Sequence, residues 1–163
     1  MTSISEPINR FLHKIEEDRR FFNVFEKSEQ ETMDLALSRA RAILEEAVDR
    51  VMMECRPSVD FTQRDEVTGD FVFDFNPQEK TLIPSIMYEI YLERDLSYIK
   101  LLNVNYTNAE LKVFDPSNAR STFLALYDRV KLQNDYLLDV YKNTDRSTGG
   151  FIELDYSLYD TED

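Results

Sequence analysis

The stretch from Ser28 to Pro57 constrains this chain more than any other, because its spacing fits only a long amphipathic helix that needs a partner. Ser28 stands three residues before Glu31, the capping-box spacing in which each side chain satisfies the other residue's free backbone amide. Met33, Leu37, Ala40, Leu44, Ala47, Val51 and Cys55 then recur in steps of four and three, which holds one apolar stripe on one face for about six turns. Arg56-Pro57 stops the helix, since proline lacks an amide donor and restricts the residue before it.

Three more helices follow from the same reasoning. Ser5-Glu6-Pro7 opens a short one with Ile8, Phe11, Leu12 and Ile15 at helical spacing, and the charged run and Phe21, Phe22 and Phe25 after it read as a kink or turn. Asn76-Pro77 with Glu79 repeats the capping pattern ahead of Leu82, Ile83, Ile86, Met87, Ile90, Tyr91, Ile99 and Leu102, a mostly buried helix in which Pro84 marks either a kink or a later start near Thr81. Asn103 to Asn108 reads as a loop, with a short turn through Ala109 to Val113 after it. Asp115-Pro116 then supplies a cap and a first-turn proline for a last long helix, whose expected buried stripe is Ala119, Phe123, Leu126, Val130, Leu137 and Val140.

Two stretches change period. Phe71, Phe73 and Phe75 alternate with Val72 and Asp74, and Val59 to Thr62 makes a partner strand, so residues 59–75 read as a β-hairpin closed at Gly69. Beyond Gly149-Gly150, Ile152, Leu154, Tyr156 and Leu158 alternate with Glu153, Asp155 and Ser157 on a tail that carries five acids and no base. The expected architecture is mainly α: a bundle of four to five helices over 1–148 with a hairpin insertion, and an acidic strand-like tail over 149–163. No repeat of the roughly 20–50-residue kind is visible.

Composition then removes most chemistry. The chain has 163 residues, 42% of them apolar and with 9 Tyr and 11 Phe, which is enough for one domain with a core. Its 32 acids outweigh 19 Lys and Arg, and a net charge of −13 repels nucleic-acid phosphates and anionic lipid. The single histidine, His13, forbids zinc motifs built on paired histidines and has no nucleophile elbow to serve. Three glycines write neither a P-loop nor a dinucleotide fingerprint, and the acids of 65–74 lack the order of an EF-hand. Cys55 closes a helix stripe and reads as a core thiol, with no disulfide partner in the chain. No stretch approaches the roughly 18 apolar residues of a membrane span, so the reading is a soluble, cytosolic protein with no catalytic residue, metal or cofactor.

What remains points to partners. A two-stranded hairpin leaves edges unpaired, and an alternating tail on a glycine hinge can add to a neighbouring sheet. The candidate interface residues are therefore Phe61, Phe71, Phe73 and Phe75 of the hairpin and Ile152, Leu154, Tyr156 and Leu158 of the tail.

The order of these elements resembles the head-tail connector, or neck, proteins of tailed bacteriophages. The resemblance spans roughly Glu16 to Asn143 and rests on Asp18 with Phe21-Phe22, on Arg39-Ala40-Arg41 and Leu44-Glu45-Glu46-Ala47 in the capped helix, and on the acidic hairpin. It continues through Leu82-Ile83 to Tyr91-Leu92 and Phe114-Asp115-Pro116-Ser117-Asn118-Ala119, to a last helix ending near Tyr141. It implies a non-catalytic virion protein, resident in the neck and in the host cytoplasm during assembly, in a ring of about twelve copies between the portal protein and other neck or tail proteins. DNA would pass as cargo without sequence-specific binding, and a carboxylate-lined channel would keep it from sticking. The acidic tail matches no pattern of that family. The alternative readings are an acidic adaptor or DNA-mimic regulator acting by protein–protein binding and, more weakly, an enzyme of unrecognised chemistry.

Overall fold

A computed structural model of the chain describes residues 1–15, 21, 28–105 and 116–152. The fold is mainly α, with four helices among those residues: α1 (Ser5–Lys14), α2 (Glu29–Cys55), α3 (Glu79–Asn105) and α4 (Pro116–Lys142). Central α3 packs against all three others, and α2 also meets α1 and α4.

The capping box of α2 is present in full, with Ser28 Oγ accepting from Glu31 N–H and Glu31 Oε2 accepting from Ser28 N–H at 2.9 Å. Ala40, Leu44, Ala47 and Val51 of the expected stripe are buried, and Ala36, Ile43 and Val48 join them. That wider stripe is what a helix touching three neighbours needs, whereas a two-residue seam serves one. Met33, at the outer end, is 48% exposed.

α3 begins at Glu79 and continues through Pro84, so the later start near Thr81 is not taken. Proline at 84 leaves the Lys80 carbonyl without its helical donor, and Arg10 Nη1 of α1 donates to that carbonyl at 3.4 Å. The helix reaches Asn105, so the expected loop at Asn103 starts too early; residues 106–115, including the short turn, lie outside the described residues. α3 is buried nearly all round, with Leu82, Ile83, Ile86, Met87, Ile90, Tyr91 and Leu92 in the core. In α4 the buried line runs through Asn134, Leu138 and Tyr141, with Phe123, Tyr127, Val130 and Leu137 half-buried beside it. Leu126, expected in that stripe, is 41% exposed; the polar Asn134, missing from the expectation, holds a buried place.

α1 starts one residue away from the expected serine cap. Ile4 is its N-cap, and the capping acceptor comes from a distance: Asp70 Oδ1 takes Ile4 N–H at 2.8 Å and Ser3 Oγ at 3.0 Å. Of the charged and aromatic run that follows, Phe21 alone is described, buried in edge-to-face contact with Phe11 and Tyr91 at 5.9 and 5.7 Å.

The expected two-stranded hairpin at 59–75 is present only as one isolated antiparallel bridge between Arg64 and Phe71. Residues 60–63 turn instead of extending, because Asp60 Oδ1 accepts from Thr62 N–H at 2.8 Å and its carbonyl from Gln63 N–H at 3.2 Å. The extended segment from Phe71 pairs elsewhere, with Thr2: Phe71 N–H donates to the Thr2 carbonyl, and Thr2 N–H to the Phe73 carbonyl, both at 3.0 Å. The alternation itself stands, since Phe71 and Phe75 are buried and Val72 and Asp74 exposed.

Candidate functional site

Two turns in this chain are built alike. Asp65-Glu66-Val67-Thr68-Gly69 and Asp145-Arg146-Ser147-Thr148-Gly149 share the pattern Asp-x-x-Thr-Gly, each followed two residues after the glycine by phenylalanine. In the first, Asp65 Oδ1 accepts from the amides of Val67 and Thr68 at 3.0 and 2.8 Å, and the Asp65 carbonyl accepts from Gly69 N–H at 2.9 Å. In the second, Asp145 Oδ1 accepts from the amides of Ser147 and Thr148 at 2.6 and 3.0 Å, and its carbonyl from Gly149 N–H at 2.8 Å. Both glycines sit at positive φ, 72° and 71°, where a side chain would be strained. These amide bonds hold both aspartate carboxyls below their ordinary range.

Each turn folds the chain back into an isolated antiparallel bridge, Arg64 with Phe71 and Thr144 with Phe151. In each, the aspartate amide donates across the turn at 2.8 Å, Asp65 to the Asp70 carbonyl and Asp145 to that of Gly150. On the second turn Ile152 N–H also reaches back to the Asn143 carbonyl at 2.8 Å. This pattern points the phenylalanine's own N–H outward, away from the bridge.

The two copies then differ in what covers them. Phe71 is fully buried: its ring lies 4.5 Å from Phe75 and beneath the Arg64 guanidinium at 3.8 Å, and its outward N–H is taken by Thr2. Phe151 is 75% exposed and Ile152 56%, and Phe151 N–H has no hydrogen bond among the described residues.

The second turn is nevertheless rigidly placed, by a buried carboxylate. Glu79, wholly buried at the start of α3, exchanges capping bonds with Asn76 at 2.8 Å and accepts from Tyr141 Oη at 2.8 Å and Arg146 Nε at 2.7 Å. Arg146 also donates to the Asp74 carbonyl at 2.6 Å and lies 5.2 Å from the Phe73 ring. Its bonds to Glu79 outweigh burial and strengthen its hold on the proton, while burial and then the Glu79 charge push the Tyr141 phenol far above its ordinary range. A second buried carboxylate, Glu89, accepts from Arg50 Nη1 at 2.8 Å and Asn134 Nδ2 at 2.7 Å, tying α2, α3 and α4 together.

Beside the second turn lies a cleft of about 300 Å³ lined by Cys55, Arg56, Pro57, Ser58, Lys142, Arg146 and Ile152, among others. In a chain of net charge −13 this corner gathers three cations, and neither Arg56 nor Lys142 makes an ion pair among the described residues. Cys55 in its wall is half-buried, with Sγ 3.6 Å from the Leu138 carbonyl; burial, then the Glu54 charge, pushes its thiol up to about 11. Among the described residues no group of three or more His, Cys, Asp or Glu is placed to hold a metal ion, and His13 stands exposed on α1.

Of the sequence-derived interface residues, Phe61, Phe71 and Phe75 are core and Phe73 is half-buried, so these side chains pack within the chain. Ile152 is exposed at the cleft; Leu154, Tyr156 and Leu158 lie outside the described residues. Sequence reasoning missed Phe151, Arg146 and Glu79 as parts of one construction. The repeated Asp-x-x-Thr-Gly was the signal that could have found it. No family model matches the chain, and no curated protein or solved structure does either.

Proposed function

We propose that this chain is a structural protein that works by assembly, as a head-tail connector forming a ring of about twelve copies beneath the portal of a tailed phage. The observation that carries the assembly half of this reading is the segment Gly150 to Ile152: an extended, apolar stretch with an outward N–H, held in place by Arg146 and Glu79 and left exposed. A large apolar pair on a rigid support is characteristic of a docking surface, because its burial on association costs little ordering entropy. Met53 at 80%, Leu132 at 73% and Tyr136 at 67% are further exposed apolar side chains.

The connector half rests on helix order and charge. Three helices of 27 residues give long rigid staves, and a surplus of 13 negative charges suits a channel through which DNA slides without sequence-specific contacts. In this reading the segment Gly150 to Ile152 and the C-terminal tail meet neighbouring copies, the portal protein or the next neck protein, and no membrane is involved. The test is electron microscopy of the purified chain mixed with portal-bearing heads of its virus. Ring-shaped density under the portal supports the proposal. A tight one-to-one complex with a DNA-binding protein, with bare portals, would replace it with the acidic-mimic reading.

A further inference from the structure

Resting on the assembly reading, we infer that the outer edge of Gly150–Ile152 is a strand-accepting site whose occupant is the acidic segment 153–163 of a second copy of this chain. The twin turn shows what such an edge does when it is filled. At Phe71 the outward N–H donates to an extended segment, Thr2, whose own N–H returns to the Phe73 carbonyl; at Phe151 the same outward N–H, after the same turn, has no acceptor among the described residues. Backbone pairing of this kind supplies affinity without demanding a particular sequence, and flanking side chains supply choice.

Charge makes that choice here. The cleft beside the edge presents Arg56 and Lys142, neither in an ion pair among the described residues, against the single acid Asp145, while Arg146 is already held by Glu79. The matching partner is an extended segment that alternates apolar and acidic residues and carries no base. The sequence of residues 153–163 supplies that pattern and no base: Glu153, Asp155, Asp160, Glu162 and Asp163 with Leu154, Tyr156, Leu158 and Tyr159. They continue directly from Ile152, so to reach the outer side of Phe151 within one chain they would have to reverse direction, and they contain no glycine for the tight turn strands favour. Extended, they reach about 35 Å, far enough to meet a neighbour. Each copy thus offers one edge and one donor, a head-to-tail arrangement that closes into a ring or runs on as a filament.

The experiment uses two full-length-based variants and measures self-association by analytical ultracentrifugation. Phe151→Pro removes the outward N–H together with the ring, while the turn's hydrogen bonds, which involve Asp145, Gly149, Gly150 and Ile152, keep their donors and acceptors. Its loss is read against a Phe151→Ala control, which removes the ring and keeps the N–H, and an equal loss in the control overturns the inference. A second chain ending at Ile152 lacks the donor. Each alone is expected to associate at least tenfold more weakly than wild type, with unchanged helicity by circular dichroism. Mixed, they are expected to form a heterodimer that grows no further, because one supplies the donor and the other the edge. Added salt is expected to weaken that heterodimer. Wild-type-like association of either variant, or no complex on mixing, overturns the inference. Should the chain associate through another surface, assembly survives and the inference falls; should the heterodimer form while portals stay bare, the inference survives and the connector reading falls.

Discussion

Replacing Glu79 by alanine is expected to destabilise the chain by about 3.5 to 5.5 kcal/mol, close to the roughly 3–5 kcal/mol of breaking a buried, hydrogen-bonded charge pair. The figure builds from the structure. The capping bond to Asn76 N–H contributes about 1 kcal/mol. The Tyr141 hydroxyl, wholly dependent on Glu79 Oε1 and buried, is left unsatisfied at a cost of about 1–3 kcal/mol. Arg146 loses a bond of 2.7 Å, but its side chain is 24% exposed and turns partly to water, so its share sits at the low end of the 1.5–3 kcal/mol typical of charged bonds, about 1.5. Urea unfolding followed by circular dichroism gives the difference, provided the m-value is unchanged. A double-mutant cycle with Arg146→Ala is expected to show a coupling of about 1–2 kcal/mol, because the two side chains share one network. A loss below about 1 kcal/mol for Glu79→Ala, or strict additivity with Arg146→Ala, would refute the claim that this carboxylate holds the second turn.

The twin phenylalanines should answer mutation in opposite ways: Phe71→Ala is expected to cost about 3–5 kcal/mol by opening a cavity among Phe61, Phe73 and Phe75, and Phe151→Ala within about 0.5 kcal/mol in the free chain, both read from denaturant midpoints. Acidification through and below pH 4 is expected to lower stability, because Asp65, Asp70, Asp74 and Asp145 have folded-state values depressed below the ordinary 3.8; the stability they add is complete above that value and lost as pH falls through the lower folded ones. Unfolding midpoints at pH 5 and pH 3 check the sign. With its thiol raised to about 11, Cys55 is expected to react with iodoacetamide at pH 8 at least tenfold more slowly in the native chain than in urea.

The three long helices were legible because each carries its own start signal close in sequence, Ser28 with Glu31, Asn76 with Glu79 and Pro116, whereas the first helix takes its capping acceptor from distant Asp70. The mainly α class follows from that. The pairing of Phe71 to Phe75 was not legible, since alternation says which face is buried and nothing about which strand lies alongside; a two-residue partner at Thr2 leaves no periodic trace. Glu79 shows the same limit from another side. Its capping role could be read from Asn76, whereas its buried bonds to Tyr141 and Arg146 depend on α4 returning beside the start of α3. Asn134 was passed over because a polar residue in an apolar stripe reads as exposed until Glu89 and the Ser85 carbonyl are found waiting for its amide. Phe151 became visible only by comparison with its buried twin, a short repeated pattern far below the length at which repeats announce a fold.

The central claim is that this molecule completes itself by association with its own kind. Measuring the native mass of the purified chain over a wide concentration range tests it most directly. The account predicts a reversible passage from the 19.3 kDa protomer to a discrete, closed oligomer through head-to-tail intermediates. A mass of 19.3 kDa at every concentration would contradict it.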